Sequence, residues 1–167
     1  MLVIEDGGGV VGANSYVSVQ EASDYIEAFI PEQFTSWDSK SELQQEAILI
    51  NAAKYLDSML RWQSTLIVGN QGLEWPRLPF IDLGGRTVEG VPSLIKESQM
   101  RLAAESITKA LYSPEAKLVI DTYGNSSQTY TKDGVIDGTG VIQDVKRILT
   151  NYGYGRSGTS IVEFHRV

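Results

Sequence analysis

The sequence predicts a mainly α protein: a small bundle of about four helices with a β-hairpin and an extended C-terminal arm. Three observations lead there. Four segments repeat apolar residues at the three- and four-residue spacing of one helix face. Two of them open on Ser-x-x-Glu, the capping box that satisfies the first orphan N–H groups of a helix. Two further stretches, about 117–131 and 161–167, are rich in apolar and β-branched residues, as extended chain is; the first alternates apolar and polar positions.

The first helix has Ser18 as N-cap and Glu21 three residues on, and Ala22, Tyr25, Ile26 and Phe29 share a face. Pro31 stops it, because its ring clashes with the preceding turn. The second helix follows Ser39-Lys40-Ser41-Glu42 and continues to about Arg61. Its apolar set is Leu43, Ala47, Ile50, Ala53, Tyr55, Leu56, Met59 and Leu60, and small alanines at 47, 52 and 53 allow a close neighbour. The third spans about 92–112, with Pro92 suited to a first turn, and ends before Pro114. The fourth runs from Val141 to Tyr152, lines one face with Val141, Val145, Ile148 and Leu149, and stops at Gly153.

Between the helices lie segments of other kinds. Residues 5–14 hold too many glycines for regular structure, and Gly7-Gly8-Gly9 lacks the Gly-Lys-Ser/Thr that a phosphate loop needs. Residues 62–91 are interrupted by proline and glycine, and Asp82–Arg86 reads as a tight turn between short extended pieces. A loop this long in a compact domain is either functional or anchored by its own side chains. Trp62, Leu73, Trp75, Pro76 and Phe80 are the expected anchor, packing on the helices in preference to stacking on a ligand. The 117–131 hairpin presents Val119, Ile120, Tyr123 and Tyr130, and two isolated strands need a partner surface, from their own domain or a neighbour. The expected organisation is a helical domain over 1–152, then a flexible linker and docking arm over 153–167. The arm carries Tyr154, Arg156, Ile161, Val162, Phe164, Arg166 and Val167. Such an arm either pairs with its own hairpin or adds a strand to another chain.

Composition removes several function classes. The 167 residues, 42% hydrophobic and 21% charged, suit one globular domain. There is no cysteine, which excludes disulfides, thiol catalysis and cysteine metal sites; the one histidine, His165, excludes a polyhistidine metal site and, lying in the expected C-terminal tail, is not expected in a Ser/His/Asp set. No carboxylate pair stands out for acid–base work. The chain is therefore expected to be no enzyme and to need no cofactor. No apolar run approaches a membrane span, and Met1–Asp6 lacks the basic, then apolar, pattern of a secretory signal. The net charge is −7. It is uneven: residues 146–167 hold four basic side chains against one acidic, a net of +3, and residues 1–145 carry −10. An acidic body argues against generic nucleic-acid binding, which rests on basic surface. Eight tyrosines and three tryptophans offer rings for base stacking, but only Tyr152, Tyr154 and Arg156 bring rings and positive charge together.

Several segments, in order, carry a resemblance. They are Val3-Ile4-Glu5-Asp6-Gly7 with Gly12-Ala13-Asn14-Ser15-Tyr16-Val17-Ser18, then Ala52-Ala53-Lys54-Tyr55-Leu56-Asp57 and Gln71-Gly72-Leu73-Glu74-Trp75-Pro76-Arg77. Asp82-Leu83-Gly84-Gly85-Arg86 and Val91-Pro92-Ser93-Leu94-Ile95-Lys96 follow. Together they resemble tailed-bacteriophage head–tail connector proteins of the adaptor, or head-completion, type. Some members of that group are labelled primosomal single-stranded-DNA-binding-like proteins. The resemblance covers about residues 1–112 well and the remainder loosely.

The resemblance implies a structural protein of the virion neck, made in the host cytoplasm and serving genome packaging. It implies a ring of copies under the portal protein, dodecameric by matching the portal. The C-terminal arm would dock on the portal, and a neighbouring neck or tail-completion protein would meet the hairpin. Duplex DNA would pass through the lumen without specific binding, and an acidic lumen would let it slide. The alternative expectation is a single-stranded nucleic-acid-binding accessory protein.

Overall fold

The computed structural model describes residues 1–111 and 140–155. Among these the chain is mainly α. Its helices are α1 (Val19–Phe29), α2 (Pro31–Asp38), α3 (Glu42–Met59), α4 (Ser93–Thr108) and α5 (Gly140–Leu149). Its strands are β1 (Leu60–Trp62), β2 (Phe80–Ile81), β3 (Thr87–Val88) and β4 (Gly153–Gly155). The most extensive helix pair is α3 with α4, and α4 also meets α1, α2 and α5, so it is the hub of the bundle. Buried Ala52 and Ala53 of α3 and Ala103 and Ala104 of α4 keep that packing close.

Helix α1 begins as its sequence dictates. Ser18 Oγ accepts from the Glu21 N–H at 3.1 Å, and Glu21 Oε2 accepts from the Ser18 N–H at 2.7 Å. Ala22 and Ile26 are buried, whereas Phe29 is 72% exposed. Pro31 ends α1 but also starts α2, a helix the sequence reading lacks. The first helical position needs no N–H, so proline fits there. Trp37 pins α2 to the core, its indole N–H donating to Ser23 Oγ at 2.8 Å.

Helix α3 corrects the expected register. Its cap is Ser41, whose N–H donates to Gln44 Oε1 at 3.0 Å, rather than Ser39 with Glu42. The buried face runs through Gln45, Leu49, Ala52, Ala53, Leu56 and Met59; Leu43 and Ala47 are exposed. The inward side of the first turn is set by Gln45, whose amide donates to the Trp37 carbonyl at 3.1 Å. The helix ends at Met59 and passes directly into β1.

The two small sheets are both antiparallel. Strand β2 pairs with β3 around the Asp82–Arg86 turn, Phe80 opposite Val88. The Asp82 N–H donates to the Arg86 carbonyl and the Arg86 N–H to Asp82 Oδ1, both at 2.9 Å. Strand β1 pairs with β4, placing Leu60, Arg61 and Trp62 opposite Gly155, Tyr154 and Gly153. Residues 153–155, at the start of the expected linker and including Tyr154 of the expected arm, form the second strand of this sheet. Glycine permits the approach, because a Cβ on Gly153 would stand 2.9 Å from the Arg61 carbonyl oxygen. The expected hairpin with Val119, Ile120, Tyr123 and Tyr130 lies outside the described residues. So do Arg156, Ile161, Val162, Phe164, Arg166 and Val167 of the expected arm.

Candidate functional site

The long loop and the N-terminal segment converge at the C-terminal end of α3. Trp75 is fully buried at the centre. The rings of Trp62 and Tyr152 stand edge-on to it, each 5.8 Å away, and Phe80 lies at 6.1 Å. Leu73 and Pro76 are buried beside it; Trp62 and Phe80 are half-buried. The structure thus brings all five expected anchor residues into one region of the loop. Gln71 fastens the loop to itself, its amide donating to the carbonyls of Leu73 at 2.8 Å and Pro76 at 2.9 Å. Arg77 is buried and donates to the Ser64 carbonyl and to Glu74.

A polar clasp joins this loop to the N-terminal segment and to α3. The Tyr16 hydroxyl donates to Asp57 Oδ1 and accepts from the Trp75 N–H at 3.3 Å. Asp57 Oδ2 accepts from the Glu74 N–H at 3.1 Å. Burial pushes the Asp57 carboxyl up to about 7, against the downward pull of Tyr16 and the Glu74 N–H, with the Glu74 charge adding to the rise. Burial, with the Asp57 charge behind it, also holds the Tyr16 hydroxyl well above its ordinary range. A cavity of about 320 Å³ opens beside the clasp, bordered by Asn14, Lys54, Asp57, Ser58 and Glu74.

A displaced carboxyl next to a cavity has the look of a catalytic acid. Its hydrogen bonds argue otherwise. Each Asp57 oxygen already accepts from a group that orders the backbone, so the carboxylate holds structure in place. Among the described residues, no group of three or more His, Asp or Glu is placed to hold a metal ion, and no helix is long and apolar enough to cross a membrane.

The glycine-rich turn has a definite use that sequence reasoning missed. Gly7 N and Gly9 N donate to Glu5 Oε1 at 2.9 Å, and Val10 N donates to Oε2 at 2.8 Å. The loop is an anion nest filled by the chain's own carboxylate. Gln99, fully buried on α4, was missed as well. Its Oε1 accepts from the Tyr16 N–H at 2.9 Å, and its Nε2 donates to Ser15 Oγ at 2.8 Å and the Leu49 carbonyl at 3.0 Å. A glutamine amid the apolar positions of a helix was the available signal.

Tyr16, Trp37 and Trp75 are fully buried, so their rings are closed to bases. Lys96, Arg101, Lys109 and Arg147 each stand within 3.5 Å of a carboxylate oxygen, of Glu21, Glu97, Glu105 and Asp144 respectively.

Fold and surface together define a small helical domain whose polar centre organises its own loops. The chain belongs to the family described as "Putative DnaT-like ssDNA binding protein", which matches it over residues 1–167. No curated protein and no solved structure matches it.

Proposed function

We propose that this protein is a non-enzymatic structural component of a tailed-phage neck, an adaptor that forms a ring under the portal. The observation that carries the reading is the division between rings and charge. Among the described residues, Tyr16, Trp37 and Trp75 are fully buried in the core, and acidic side chains number 16 against ten basic. That suits a surface past which duplex DNA slides without sticking. The segment 156–167, β-prone and net positive in sequence, comes after β4 in the chain and would supply the strand added to a partner. Deleting 156–167 is expected to leave a folded domain that no longer binds portal protein. Unchanged capture of portal in a pull-down would reject the role of the arm.

The family description favours a second reading, an accessory protein that binds single-stranded DNA. It requires binding to a labelled oligonucleotide that weakens steeply with salt. Fluorescence anisotropy at low salt separates the two: the adaptor reading expects no change on titration.

A further inference from the structure

Residues 5–10 close around one carboxylate. Glu5 is buried, and its oxygens accept from Gly7 N, Gly9 N and Val10 N at 2.9, 2.9 and 2.8 Å. The turn is fastened to the long loop: a Cβ on Gly9 would stand 2.8 Å from Val68 Cγ2, and the Gly72 N–H donates to the Val10 carbonyl at 3.1 Å. Asp6 is the exposed member of the turn, and its Oδ1 accepts from the Gly8 N–H at 2.8 Å.

The bond between Asp6 and Gly7 has a chemistry of its own. Glycine puts no side chain in the way of its nitrogen, so an Asp-Gly bond is open to cyclisation. The Gly7 nitrogen gives up its proton and attacks Cγ of the protonated Asp6 side chain. The N–Cγ bond forms, the Cγ–OH bond breaks, and water leaves with the lost proton. Solvent water then opens the cyclic imide. Opening at the backbone carbonyl leaves Asp6 linked to Gly7 through its β-carbon, with the mass of the chain unchanged.

Two contacts oppose the first step. The Gly7 N–H donates to Glu5 Oε1, and a negative charge against a nitrogen makes its proton harder to lose. The Gly8 N–H holds the Asp6 carboxyl towards residue 8, which keeps it from closing freely on the nitrogen of residue 7. Both contacts are lost when the turn opens locally. The β-linked product carries one more backbone carbon between Glu5 and Gly7, so the three N–H groups no longer converge on the same carboxylate.

We propose that the Asp6–Gly7 bond is a modification site gated by the turn: it isomerises to the β-linked form when the turn opens, Glu5 holds it shut, and the product cannot refasten the N-terminal segment to the long loop. The full chain carrying Asp6→Asn tests this with a mass readout, because the same cyclisation at asparagine expels ammonia and hydrolysis leaves the heavier acid. The variant is aged at neutral pH, folded in buffer and unfolded in urea, and peptide fragmentation reads conversion at position 6. Folded chain should convert slower than unfolded chain by about tenfold or more. Adding Glu5→Gln should raise the folded rate by about tenfold while Trp75 fluorescence still reports a folded core. If Glu5→Gln does not fold, Glu5→Asp, which keeps the charge and shortens the reach, is expected to raise the rate in its place.

Equal rates in folded and unfolded chain overturn the proposal, and so does a folded rate that the Glu5 substitution leaves unchanged. The third part is read on aged wild-type chain. In the β-linked fraction, separated by chromatography, the Gly72 amide should exchange faster than in the parent, because its bond to the Val10 carbonyl is gone. A Gly72 amide equally protected in both fractions overturns it too.

Discussion

Residues 1–17 and 62–91 are both long and irregular, and they are held by different forces. The first is held by hydrogen bonds: Glu5 fills the glycine nest, Asn14 Oδ1 accepts from the Val3 N–H at 2.8 Å, and Gln99 holds Ser15 and Tyr16. The second is held by rings, with Trp75 buried among Trp62, Phe80 and Tyr152. Polar anchoring is directional, and removing one partner strands the other. Apolar anchoring scales with area and forgives a change of shape. The two segments should therefore respond differently to substitutions that look equally mild.

The largest expected effect is in the ring-held loop. Trp75→Ala removes a fully buried indole and should cost about 3–5 kcal/mol, read by urea unfolding. A midpoint equal to wild type would mean that the loop is ordered by something else. Trp75→Phe should cost much less, about 1–2 kcal/mol. It keeps an aromatic ring and loses no hydrogen bond, because Trp75 Nε1 has no partner among the described residues. The opposite holds at the polar anchor. Gln99→Leu keeps the size and adds apolar surface, yet it leaves the Tyr16 N–H and the Leu49 carbonyl short of a partner. It should cost about 2–3 kcal/mol. A Gln99→Leu protein as stable as wild type would erase the contrast between the segments.

The same contrast explains what was legible in the sequence. Apolar periodicity announced α1, α4 and α5, and the turn at Asp82–Arg86 was readable from its glycines and flanking pattern. Trp75 was readable as an anchor, because a tryptophan in a proline- and glycine-broken loop has few other uses. The partners of the polar anchors were not legible. Nothing local marks Glu5 as the filler of a nest or Gln99 as the partner of Tyr16, 83 positions away. Those pairings exist only once the bundle has formed. Helix α2 was hidden because Pro31 both stops one helix and opens another. The start of α3 was misplaced because Ser39 and Ser41 both offer caps, and the choice is made by Gln44 and Gln45.

The clasp at Asp57 belongs to both segments, and pH tests it. The folded protein binds the Asp57 proton more tightly than an unfolded chain does, since its carboxyl sits at about 7 against an ordinary 3.8. A raised carboxyl contributes stability that is full below its unfolded value and is lost as pH rises through the folded one. At about 1.4 kcal/mol per unit of displacement, the group should lower stability by about 2–4 kcal/mol from roughly pH 4 to pH 8. Asp57→Asn should flatten that slope, and a slope that survives in the variant would acquit Asp57. The same titration has a place as well as a size. Asp57 accepts from the Glu74 N–H, and an ionised carboxyl is the stronger acceptor, so the Glu74 amide should gain less than the ordinary base-catalysed increase as pH rises, and Asp57→Asn should remove that protection. The Gly9 and Val10 amides, held by Glu5, should gain no more than the ordinary base-catalysed increase.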